Sequence, residues 1–137
     1  MTTSIQFEAF DVPGARTYDG SVLPGAFNIK STNGEPVKVL DAAAALRDLG
    51  ESGKLTELLN RHGAVLFRGV GNPSAETFSV LVNAAEEARG LKEHEQIGLA
   101  GKRTPIAKAI WTANEGPPTT RFYQHNEVCQ TCIEQLC

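Results

Sequence analysis

Gly63-Ala64-Val65-Leu66-Phe67-Arg68-Gly69, followed by Asn72-Pro73-Ser74 and then Ala75-Glu76-Thr77-Phe78, is the stretch on which the reading of this chain turns. Four consecutive apolar residues bounded by glycines suit a short strand buried on both faces, although periodicity alone leaves a buried helix segment open. Pro73 or Ser74 fits the first positions of a helix. Phe78, Leu81, Val82 and Ala85 then supply an apolar stripe that runs until Gly90. A strand leading into an amphipathic helix is the expectation.

Two more helices are expected upstream. Asp41 is a good N-cap, Ala42 to Ala45 have high helix propensity, and Leu46 and Leu49 repeat at three residues before Gly50. Ser52 can cap the next helix, whose Leu55, Leu58 and Leu59 form a stripe ending at Gly63. Residues 1–40 read as an irregular lead-in, broken at Pro13-Gly14, Asp19-Gly20, Pro24-Gly25, Asn33-Gly34 and Pro36. Its short apolar pieces suit edge strands or extended arms, and Asn33-Gly34 suits a hairpin. Downstream, Ile106 to Trp111 and Arg121 to His125 read as strands separated by the Gly116-Pro117-Pro118 loop. The mixture indicates an α+β fold with one domain over residues 1–137.

Composition narrows the function classes. The chain has 137 residues, 41% hydrophobic and 21% charged, with a formal net charge of −3. That balance offers no basic face for a phosphate backbone, so nucleic acid is not an expected partner. No apolar run reaches the length of a membrane span, and Met1-Thr2-Thr3-Ser4 has neither the basic start nor the apolar region of a signal peptide. A cytoplasmic location and no membrane association are expected. Cys129, Cys132 and Cys137 all lie in the last nine residues, which excludes a disulfide-stapled secreted scaffold.

The most pointed chemistry is His125-Asn126-Glu127, after the aromatic pair Phe122-Tyr123. On a strand, residues two apart face the same side, so His125 and Glu127 can address one metal while Asn126 points away. Imidazole and carboxylate together suit Fe(II), and a site with two histidines and one carboxylate leaves positions open for a chelating cosubstrate and O₂.

Arg103-Thr104-Pro105, Trp111 to Pro118 and Arg121 to Glu127, in that order, resemble the region around the first metal ligands of the TauD/TfdA-like Fe(II)/2-oxoglutarate-dependent dioxygenases. The likeness is greatest to the clavaminate-synthase-like branch, whose carboxylate ligand is Glu. Gly63 to Gly69 followed by Ser74 to Phe78 also resembles that family's N-terminal strand and helix, so the resemblance covers about residues 55–127. It implies a double-stranded β-helix, or jelly roll, around the iron. It further implies oxidation of a small organic substrate, for example in secondary metabolism, with O₂ and 2-oxoglutarate as cofactors. His125 would be the first histidine ligand and Glu127 the carboxylate ligand, with the protein holding positions open and excluding water.

Two family features have no counterpart here: the distal histidine and the arginine that pairs with 2-oxoglutarate both lie far downstream of the His-x-Glu. His62, His94 and Arg121 are not placed to substitute. Thirty-three residues follow Thr104, whereas an eight-stranded jelly roll needs on the order of 75. The expectation is the front part of a truncated dioxygenase domain, with an incomplete barrel and no activity alone.

Residues 128–137 depart from the family. His125, Cys129, Cys132 and Cys137 make an H-x3-C-x2-C-x4-C array that could hold zinc as a clipped interaction module; unpaired thiols are the alternative. A non-catalytic fragment that self-associates or pairs with a homologue through exposed strand edges is the other alternative. Trp111, Phe122 and Tyr123 read as core or pocket-wall packing. Glu86-Glu87 reads as a solvated face. Gly69-Val70-Gly71 lacks the spacing and lysine of a phosphate loop.

Overall fold

The computed structural model describes residues 4–71, 73–92 and 103–112. Its first strand, β1 (Ile5–Ala9), pairs antiparallel with β4 (Gly25–Ser31), and β4 pairs in parallel with β5 (Val65–Arg68). The central strand β4 thus joins neighbours far apart in sequence. Parallel pairing of β4 and β5 requires a crossover, which the helices α1 (Val39–Glu51) and α2 (Lys54–His62) provide. α3 (Ala75–Glu87) follows β5 and packs chiefly on α1.

Residues 1–40, expected to be irregular, instead contain four of the strands. Between β1 and β4 lies a small hairpin, β2 (Arg16–Tyr18) and β3 (Ser21–Leu23). Its two-residue turn, Asp19-Gly20, has positive φ at both positions, 47° and 74°, which matches the right-handed twist of the strands it joins. Asn33-Gly34 forms a turn, with Gly34 N–H donating to the Ser31 carbonyl at 3.2 Å, yet it leads β4 toward α1 and makes no hairpin.

Register explains the core. Phe7, Phe27, Ile29, Val65 and Phe67 fall on one face of the sheet. Ile29, at 2% exposure, meets Leu46 of α1, Leu55 of α2 and Ala85 of α3 in the buried cluster. Phe67 lies edge-on to Phe7 at 5.6 Å and tilted to Phe27 at 6.0 Å. The opposite face carries Glu8 and Lys30, an exposed ion pair.

Helix boundaries differ in detail from the expected ones. α1 begins after Lys38, so Asp41 sits inside the first turn, where its charge favours the helix dipole, instead of at the cap. Ser52 ends α1, its N–H donating to the Asp48 carbonyl, while Gly53 at φ 77° precedes α2. Gly63 closes α2 as expected. Ser74 caps α3, accepting a hydrogen bond from Thr77 N–H at 3.1 Å, a contact generally worth about 1 kcal/mol.

The third sheet is another hairpin, β6 (Pro105–Ala107) and β7 (Ile110–Trp111). One continuous strand over 106–111 was expected; Lys108 and Ala109 break it, with Ala109 at φ 59°. Among the described residues the fold is α+β with small sheets and no closed barrel.

Candidate functional site

β5 is the last strand in the order β1-β4-β5, so its outer edge has no strand partner among the described residues. Beside that edge a cleft of about 790 Å³ opens between β5 and α3, a size within the range of small-molecule sites. Its floor is the core itself, including Ile29, Leu46, Leu55 and Ala85. Phe67 and Leu81 form walls, and Arg68 and Glu86 are the charged residues of the lining. The hydrophobic core is therefore open on this side.

The expected α3 stripe is only partly buried: Ala85 is enclosed, whereas Phe78 lies at the cleft with 57% exposure. β5 also differs from a strand enclosed on both faces. Val65, Leu66 and Phe67 are half-buried and Arg68 is exposed, because nothing among the described residues covers its outer side. The Arg68 guanidinium lies 5.3 Å from the Phe10 ring centre, a cation–π contact on the other face of the sheet.

His62 is not a free surface residue. Its Nδ1–H donates to the Val22 carbonyl at 2.7 Å, tying the end of α2 to β3, and the carbonyl acceptor sets which ring nitrogen carries the proton. Gly25 makes room for the ring: a Cβ there would stand 2.7 Å from His62 Cγ. This histidine is occupied by the fold. Gly69 likewise serves close packing, as no phosphate loop is formed.

Glu86 and Glu87 each have a basic partner, in line with a solvated face. Glu86 pairs with Arg89 at 2.6 Å, and Glu87 with Lys108 on the β6–β7 turn. The hydrogen bond and charge of Lys108 hold the Glu87 carboxyl below its ordinary value of 4.5. A depressed folded-state pKa means that the contact stabilises fully above the ordinary value and is lost as pH falls through the folded one. Trp111, on the adjoining strand, is the chain's single tryptophan. Its emission is expected to show an acid-side transition that Glu87→Gln removes; a transition unchanged in that variant would contradict the assignment.

Trp111 itself is 40% exposed and is not core, because its short hairpin lies outside the main sheet. Among the described residues no three of His, Cys, Asp and Glu gather as a metal site. His125, Glu127, Cys129, Cys132 and Cys137 lie outside the described residues, as do His94, Arg121, Phe122 and Tyr123. Among the described residues no helix is long and apolar enough to cross a membrane.

The chain matches no protein-family model. It is 31% identical over 120 residues to a clavaminate synthase-like protein of Arabidopsis thaliana. That alignment takes in 87% of this chain and 35% of the plant protein. The likeness thus extends through most of these residues but reaches only about a third of the relative's length, and on it the chain is a distant relative of the clavaminate-synthase-like proteins.

Proposed function

We propose that these 137 residues form the helix-bearing front part of an Fe(II)/2-oxoglutarate-dependent dioxygenase domain of the jelly-roll type, acting on a small organic molecule. The observation that carries this reading is the 31% identity to a clavaminate synthase-like protein across most of the chain. The occurrence of β5 followed by α3, where the resemblance implies a strand and then a helix, adds support.

In this reading His125 and Glu127 supply an imidazole and a carboxylate to one side of the iron, donors that suit Fe(II) in kind. Bound Fe(II) and 2-oxoglutarate would supply the O₂ chemistry. A two-donor set falls short in number, however: His62 is held by Val22, and no third ligand is gathered among the described residues. The role left to the front part is to support the ligand-bearing segment and present the apolar cleft to whatever completes the domain.

Two measurements on the purified chain test the proposal. Co(II), a spectroscopic stand-in for Fe(II), is expected to bind weakly and to lose binding in His125→Ala and Glu127→Ala. Binding indifferent to both substitutions sinks the ligand assignment. With Fe(II), 2-oxoglutarate and ascorbate, succinate is expected at the level of the His125→Ala control. Succinate that depends on His125 overturns the inactivity of the chain alone.

A further inference from the structure

Three α3 residues spaced four apart, Ser79, Asn83 and Glu87, reach the same residue, Lys108, in the turn between β6 and β7. Spacings of four and eight place them in one stripe along the helix. Ser79 is buried at 5% exposure, and its Oγ donates to the Lys108 carbonyl at 2.6 Å. Asn83 Nδ2 donates to that carbonyl at 3.3 Å and to the Ser79 carbonyl at 2.8 Å. The Glu87 carboxylate takes the Lys108 ammonium.

Two of these three contacts are made to the backbone, so they hold the turn whatever side chain residue 108 carries. The exposed Glu87–Lys108 pair is the lesser part, since ion pairs in water contribute little. A two-stranded hairpin is marginal by itself, and this one has no place in the main sheet. Its position therefore depends on α3. The hairpin ends at Trp111, fourteen residues before His125.

We infer that the Ser79-Asn83-Glu87 stripe is a latch that fixes the β6–β7 hairpin and, through it, the point from which the chain departs toward His125 and Glu127. Ser79 and Asn83 are then positioning residues for the metal ligands. This inference rests on the ligand assignment proposed above.

The test titrates Co(II) into the full chain and its variants, following histidine-ring NMR signals, with amide hydrogen exchange measured over residues 105–111 and across the rest of the chain. Ser79→Ala is expected to speed exchange in the hairpin and weaken the His125-dependent Co(II) binding about tenfold, the lower end of the range for groups that orient metal ligands indirectly. Ser79→Thr, which keeps the hydroxyl, restores both. If Ser79→Ala loosens exchange throughout the chain, Asn83→Ala takes its place with the same expectation. Faster hairpin exchange with unchanged Co(II) affinity overturns the inference and leaves the ligand assignment standing. Co(II) binding that ignores His125 in the parent chain overturns both.

Discussion

Gly69→Ala is expected to lower the free energy of unfolding by about 3 kcal/mol, combining a left-handed conformation that disfavours a side chain with overpacking of a filled site. Gly69 follows β5 with φ at 94°, and a Cβ there would lie 2.6 Å from the carbonyl oxygen of Ile29. That oxygen belongs to the central strand, whose Ile29 side chain is fixed among three helices. The clash cannot be relieved by swinging a flexible side chain aside; either the end of β5 moves off β4 or the backbone changes conformation. Equilibrium urea denaturation checks it, as a lower midpoint with an unchanged slope. A loss below about 1 kcal/mol, the ordinary effect of a point substitution, would show that this close approach is not maintained.

Ile29→Ala is the second large effect, with an expected loss of about 3 kcal/mol within the usual span for truncating a buried aliphatic side chain. Ile29 is the one large side chain among the described residues that is fully buried, and it joins sheet to helices in the core cluster. It also floors the open cleft. The space left by truncation is thus continuous with the cleft, and water or neighbouring groups can enter it. The cost should accordingly stay below the upper end of that span. Phe78→Ala is the control: a larger side chain, but 57% exposed at the same cleft, expected to cost less than Ile29→Ala in parallel denaturation curves. Equal losses would mean that Phe78 is covered in solution and that the cleft is closed.

Both effects bear on function through one feature, the open core beside β5. A folded domain is stable by a narrow margin, and an apolar floor left in water forgoes part of the burial that could widen it. The cleft is consistent with a front part that needs more structure against it, which is the situation proposed for the dioxygenase domain.

Local signals carried part of this fold. The three helices and β5 follow from apolar spacing and from residues such as Ser74 and Gly63, whose effect is exerted within a turn of the chain. Even there, Ser52 closed one helix instead of opening the next, because Gly53 takes the left-handed position between them. The strands of residues 5–31 were hidden by their turn residues: Asp19-Gly20 joins two strands, and Gly25 opens the longest one.

The chemistry of His125 and Glu127 is likewise a property of residue types and their spacing, and was legible without any fold. What residue order could not reveal was partnership over distance. β4 became central only by pairing with β1 on one side and with β5, across two helices, on the other. Ser79 could be recognised as more than a small polar residue on an amphipathic helix only when the Lys108 carbonyl, 29 positions away, came within hydrogen-bond reach. Propensity and capping act over a few residues and are written in the sequence; strand order, the open cleft and the latch arise from contacts between distant segments, which only tertiary packing decides.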